Sequence, residues 1–209
     1  MEQAMNYGNE IKTLVEEMKA TYKRKNHDYG NSFDQSLDED GLIAAKVRIG
    51  DKIRRFTTLI GKERQVADES TVDTLKDLST YCVMAMVWRL AEDQTVDSIF
   101  DELVDYVERY KEEMDDSLSK FGVVYSAVEL SNLLKDLGKE IKKEDKTVCC
   151  KDCVILYNMA EIAISTVLFI NGTIIPKEKE TSERAIYMRS DRGYNQFFLA
   201  ITEMLRKGK

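Results

Sequence analysis

Proline is almost absent from this chain: Pro176 is the only one in 209 residues. Proline punctuates loops and breaks helices, so its scarcity predicts long helices joined by short turns. Histidine is equally scarce. His27 stands alone, far along the chain from the cysteines, so a closed zinc site is not expected. Positive charge is in deficit, with 31 Lys and Arg against 38 Asp and Glu and a net charge of −7. A general nucleic-acid binder is expected to carry a basic surface, so that class is disfavoured. Long apolar runs are also missing. The best candidate, near 162–170, is interrupted by Ser165 and Thr166 and falls short of the roughly 20 residues that cross a bilayer. The opening MEQAMNYGNE has neither a basic start nor an apolar core, so no secretory signal is expected and the expected location is the cytoplasm. Neither a glycine-rich phosphate loop nor a GxSxG elbow occurs, which removes support for P-loop kinase and serine-hydrolase chemistry.

What remains is ordinary for a folded protein: 43% hydrophobic and 33% charged residues, in a chain long enough to bury a real core. Cys82 sits in an apolar helical run and reads as a small core residue. Cys149, Cys150 and Cys153 form CCKDC without a second CxxC, so reduced structural thiols are expected.

Helical periodicity recurs almost throughout. Helices are expected over about 10–27, 42–60 and 71–91, then from Thr95 or Asp97 through DELVDYVERYKEEM, over 125–142 and 151–170, and finally over 194–206. The segment NSFDQSLDEDG reads as a loop by its Asn, Ser and Asp content, as does 171–184. Gly30 and Gly61 are placed as helix C-caps. The fold expected is an all-α helical bundle.

An internal echo suggests two tandem three-helix units, 1–93 and 94–209, packed as one bundle. Glu10–Gly30 lines up without gaps on Glu102–Gly122, so that Gly30 meets Gly122. Further on, LIAAKVRIGDKIRRF resembles VYSAVELSNLLKDL, which sets Asp51 near Asn132. Asp73 and Asp77 then fall on Val154 and Asn158. The second half lacks the acids, so one working site is expected.

The chemistry is concentrated in 25–81. Asp73 and Asp77 lie four apart on one helical face, with Glu69 one turn earlier. Asp77 sits where this helix enters the apolar run VMAMVW, and a carboxylate at such a boundary needs a cation or a basic partner. Asp51 lies among Arg48, Lys52 and Arg55. Mg²⁺ takes six oxygen ligands, a few of them carboxylates, so Asp51, Asp73 and Asp77 are the candidate metal ligands. Arg48, Lys52 and Arg55 are candidate phosphate-binding groups. Asp28 sits at a helix C-terminus, where the dipole disfavours a negative charge, and so invites another duty. Tyr29 or Phe33 is placed to stack on a nucleobase. His27 reads as a surface residue.

Three blocks in order, KxxDYGxSF (Lys25–Phe33), a KxRxxDKxxR segment (Lys46–Arg55) and DESxxDTLxDLxxY (Asp68–Tyr81), resemble the nucleotide-modification-associated domain 1 family over about Lys25–Met86. That resemblance implies a link to modified-nucleotide metabolism, often phage-encoded, in the host cytoplasm. More distantly, the layout looks like the MazG-type all-α nucleoside triphosphate pyrophosphohydrolases, which hold Mg²⁺ with ExxE and ExxD. Here those positions read Arg48-x-x-Asp51 and Thr74-x-x-Asp77, with Asp73 and Asp28 to compensate. The resemblance implies a Mg²⁺-dependent dNTP pyrophosphohydrolase. Asp51, Asp73 and Asp77 would hold the metal, Asp28 or Glu69 would orient the water, and Tyr29, Arg48, Lys52 and Arg55 would bind substrate. The alternative is a non-catalytic nucleotide-binding or regulatory protein of a phage DNA-modification or counter-defence pathway. No membrane partner is expected, and homo-oligomerisation stays open.

Overall fold

The computed structural model describes residues 2–60, 70–90, 94–142 and 151–172, with side chains described from Tyr7 onward except at 111–113. Among these, eight helices and no strand occur: α1 (Glu2–Tyr29), α2 (Ser32–Asp40), α3 (Leu42–Leu59), α4 (Thr71–Leu90), α5 (Val96–Arg109), α6 (Lys111–Phe121), α7 (Val123–Glu140) and α8 (Lys151–Ile170). The protein is an all-α bundle. The expected Gly61 cap, the loop 171–184 beyond Gly172, the helix 194–206, Cys149 and Cys150 lie outside the described residues. Cys82 and Cys153 are buried.

α4 and α8 form the centre and pack most extensively on one another. Arg89 at the end of α4 reaches Asp152 at the start of α8 at 2.9 Å, so the two run in opposite directions. Apolar residues cover nearly all sides of α8, whose buried set runs almost unbroken from Cys153 to Leu168. A helix apolar all round must lie inside a bundle or a membrane. By length and composition Lys151–Ile170 is apolar enough to span a bilayer, a longer stretch than the 162–170 seen in the sequence. In the bundle, 83% of its apolar window is buried.

Two departures from the sequence reading have clear causes. NSFDQSLDEDG is not a loop but contains α2, because Phe33 and Leu37, four apart, both face the core and hold a polar helix down. The expected helix from Thr95 through Met114 divides at Tyr110 (φ −103°, ψ 15°) into α5 and α6. Thr95 and Ser98 form a reciprocal capping box at the start of α5, which sets that boundary firmly.

The helix order α1–α4 recurs as α5–α8. α2 rests on α3 and α4, as α6 rests on α7 and α8. α3 packs on α4 as α7 packs on α8, and α1 on α8 as α5 on α4. The strongest mark of the recurrence is backbone geometry. Gly41 (φ 63°, ψ −151°) joins α2 to α3, and Gly122 (φ 60°, ψ −159°) joins α6 to α7, each opening an 18-residue helix. This region of φ/ψ space is open essentially to glycine alone. This geometry sets Gly122 against Gly41 instead of Gly30, with four helices in each run, while the expected pairings of Asp51 with Asn132, Asp73 with Val154 and Asp77 with Asn158 already follow the same displacement. One residue displacement then matches the fully buried Leu75, Leu78, Ser79 and Cys82 with the fully buried Leu156, Met159, Ala160 and Ala163. Gly41→Ala and Gly122→Ala are each expected to cost about 1–3 kcal/mol through backbone strain. Chemical denaturation checks this, and Gly8→Ala, where φ is not positive, is not expected to show a backbone penalty of this kind.

Candidate functional site

α1 leans mainly on α5 and touches α4 less. Lys19 reaches from α1 to its own Glu16 at 2.9 Å and to Asp101 on α5, and Lys23 meets Asp97 at 2.7 Å. The Lys19 side chain is buried. Burial alone would lower its pKa, but hydrogen bonds from its ammonium to Asp101 and Glu16 raise it above the ordinary lysine value. With α1 held this way, a groove stays open between its second half and α4.

Ion pairs cross the groove at two points. Lys76 Nζ on α4 meets Glu17 on α1 at 3.1 Å, and Lys25 Nζ on α1 meets Asp77 Oδ1 on α4 at 2.8 Å. The other oxygen of Asp77, Oδ2, accepts from Lys52 Nζ on α3 at 2.7 Å. One carboxylate thus binds two ammonium groups from two different helices. The Lys52 ammonium also lies 5.9 Å from the centroid of the Tyr81 ring, a cation–π contact. Burial pushes the Asp77 pKa up; the hydrogen bonds and charges of Lys25 and Lys52 outweigh it and hold the carboxyl below the usual carboxylate range.

This shift has a definite sign in stability. A carboxyl whose folded pKa is depressed contributes stability above its unfolded value, which is lost as pH falls through the folded one. Asp77→Asn is therefore expected to lower the melting temperature by a constant amount above about pH 5, with the two proteins converging as the pH drops below about 4. Melting curves over that range are the check. A difference independent of pH would remove the ion triad as its source.

The Lys25–Asp77 pair, with Thr80 beside it, divides the groove into two cavities. The inner one, of about 230 Å³, is walled by Tyr22, Tyr29, Phe33 and Tyr81, with the amides of Asn26 and Asn31 on its rim. Phe33 stands edge-on to Tyr81, ring centroids 4.9 Å apart. Tyr29 is 72% exposed, so one aromatic wall faces solvent. Gly30 (φ 57°) and Asn31 (φ 48°) are both left-handed, which turns the chain from α1 into α2 and sets Tyr29 and Phe33 on the same cavity. The outer cavity, of about 500 Å³, is lined by Glu17, Arg24, Asp73 and Lys76, among others.

Of the residues singled out in the sequence, Tyr29, Phe33, Asp73 and Asp77 line this groove, and Lys52 reaches it through Asp77. The three acids expected to share one Mg²⁺ are not gathered. Asp51 lies exposed on α3 and pairs with Arg54 at 2.5 Å. Asp73 is bound to the start of its own helix. Its backbone N–H donates to Ser70 Oγ at 2.8 Å, and its carboxylate accepts from the same hydroxyl at 2.6 Å. Asp77 has both oxygens engaged by lysine. Among the described residues no group of three Asp, Glu, His or Cys side chains is placed to hold a metal ion. Asp51, Asp73 and Asp77 therefore do not converge as shared ligands of one Mg²⁺, whose ligand oxygens lie at about 2.1 Å.

Arg48 is exposed and Arg55 half-buried on α3, and neither lines these two cavities. Asp28 is exposed at the end of α1, 3.2 Å from His27 Nδ1, also outside both cavities. Glu69 lies outside the described residues. Lys25, Arg24, Lys76 and Thr80 were not singled out. For Lys25 a signal was present, since it opens the KxxDYG block; for the others only the helix packing brings them to the groove.

The second unit carries no such triad. The displacement that pairs Gly41 with Gly122 sets Lys52 against Leu133 and Asp77 against Asn158, both uncharged. It sets Lys25 against Tyr106, whose ring meets Tyr157 edge-on at 5.1 Å. The charge that defines the groove exists once in this pair of matched positions.

Neither a curated protein nor a solved structure matches this chain. The three blocks that supply Lys25, Lys52 and Asp77, together with the aromatic residues Tyr29, Phe33 and Tyr81, all fall within residues 25–88, which match the family model described as nucleotide modification associated domain 1.

Proposed function

We propose that the α1–α4 groove is a nucleotide-binding site, with the base in the aromatic inner cavity and phosphate at Lys25 and Lys52. One observation carries this reading. Lys25 and Asp77 line both the aromatic cavity and the charged one, and Lys52 joins them by its bond to Asp77 and its place over the Tyr81 ring; the three come from separate blocks of the family region. Bases stack favourably on aromatic side chains, and ammonium groups are common phosphate ligands. Asp77 orients both lysines before the ligand arrives, which lowers the entropy lost on binding. The role is binding within nucleotide-modification metabolism, as sensor, carrier or delivery protein. It needs no metal held by Asp51, Asp73 and Asp77.

Thermal shift with a panel of deoxynucleotides, with and without Mg²⁺, tests the reading. At about 100-fold excess over Kd a ligand adds about 2.7 kcal/mol, which is about 5–10 °C for a chain of this size. A rise of that order without release of pyrophosphate or phosphate is expected. Failure of every nucleotide to move the transition would sink the reading. Release of pyrophosphate from a dNTP would instead make the protein a pyrophosphohydrolase.

A further inference from the structure

We infer that the groove takes a nucleoside monophosphate, bound without a metal ion, in preference to the corresponding triphosphate. This rests on the groove being a nucleotide site, and it concerns how many phosphates that site accepts.

α4 acts as a ruler along the groove. Tyr81, Asp77 and Asp73 succeed one another at intervals of four residues, about 6 Å of helix each. Tyr81 belongs to the inner cavity, Asp77 to the division, and Asp73 to the outer cavity. A base beside Tyr81 places its ribose along the next turn and its first phosphate at the lysines held by Asp77. Any further phosphate must continue outward, and there it meets Asp73 and Glu17.

Charge decides how far the chain can extend. Lys25 and Lys52 share one carboxylate, so the division between the cavities carries one positive charge beyond neutrality. A phosphate monoester carries close to two negative charges at neutral pH, which this surplus and charge-assisted hydrogen bonds from the two ammonium groups offset in part. The outer cavity has no such surplus. Lys76 is matched by Glu17 at 3.1 Å, and the Arg24 guanidinium, which donates to Thr21 Oγ1 at 3.0 Å, is offset by Asp73. A β- or γ-phosphate would enter a region whose fixed charges already cancel and would lie beside two carboxylates, a repulsive arrangement. A divalent cation carried on the phosphates would relieve this repulsion most if carboxylates converged on it as well. Asp73 is tied to Ser70 and Asp77 to its lysines, so they do not.

Isothermal titration of the full chain with the four deoxynucleoside monophosphates and their triphosphates, in EDTA and again in Mg²⁺, is the test. For the base that binds, the monophosphate is expected to bind at least about 10-fold tighter than the triphosphate in both buffers, about 1.4 kcal/mol. Asp73→Asn should narrow that ratio by improving triphosphate affinity, and a melting curve of the variant shows that it is folded. A triphosphate that binds tighter in EDTA, or overtakes the monophosphate in Mg²⁺, overturns the inference while leaving the nucleotide site standing. Binding of no nucleotide overturns both.

Discussion

Phe56→Ala is expected to lower stability by about 3–5 kcal/mol and the melting temperature by about 10 °C. Phe56 is fully buried on α3 and is among the largest side chains with no solvent exposure. Truncation removes its transfer free energy and leaves a cavity that close-packed helices fill only in part. A domain of ordinary stability, about 5–15 kcal/mol, would survive the change but with a much reduced margin. The same substitution should reach the groove. Phe56 lies one helical turn from Lys52, and its burial helps hold α3 where the Lys52 ammonium meets Asp77. Nucleotide affinity is therefore expected to fall modestly, by less than the direct loss of Lys52 produces. Denaturant titration gives the first quantity and calorimetry the second. A fall in stability below about 1 kcal/mol would mean that α3 repacks freely, and the account of the core would be wrong.

Lys52→Met should have the largest effect on binding. Methionine keeps most of the apolar stem and removes the ammonium. A hydrogen bond to a charged group contributes about 1.5–3 kcal/mol, so a loss of about 10- to 100-fold in nucleotide affinity is expected. The Lys52 side chain is only 20% exposed, against 52% for Lys25, so water replaces its ammonium less readily. Lys25→Met should accordingly cost less than Lys52→Met. Stability should change little in either variant, because Asp77 keeps one lysine partner and partly exposed ion pairs contribute about 1 kcal/mol or less. Equal affinity for wild type and Lys52→Met would remove the phosphate role from this residue. Arg48→Ala provides the contrast, since Arg48 lines neither cavity and, unlike Lys52, is not a partner of Asp77, so affinity should be unchanged.

Helices rich in apolar residues were readable directly. α8 was expected at 151–170 and is found there, and α3 and α4 end within a residue of expectation. Burial supplies the signal in each: Ile49, Ile53 and Phe56 on α3, and Leu75, Leu78 and Cys82 on α4, recur at helical spacing and all face the core. α2 escaped notice because its period rests on only two residues, Phe33 and Leu37, among seven polar or charged ones. The break at Tyr110 was equally hard to see, since it needs neither proline nor glycine.

The acids show the limit of reading spacing on one helix. Residues four apart share a face, and Asp73 and Asp77 do line the same outer cavity. Which partner each carboxylate takes depends on neighbouring helices. Asp51 is on the opposing segment and was expected to join them, yet it lies on the exposed side of α3 while Lys52, the next residue, turns inward to Asp77. One step along a helix rotates the side chain by about 100°, so adjacent residues on α3 serve different surfaces. The pairing of Gly30 with Gly122 failed for a related reason. Amphipathic helices resemble one another at several registers, and only the rare backbone conformation shared by Gly41 and Gly122 selects one.

By itself, the sequence determined that this chain is an all-α bundle with its charged chemistry in residues 25–81, because helix period, proline scarcity and the three blocks are local properties. Tertiary structure decided what those charges do. Lys25 and Asp77 are separated by 52 positions and Lys52 and Asp77 by 25, and only the packing of α1, α3 and α4 turns a suspected metal ligand into the shared partner of two lysines.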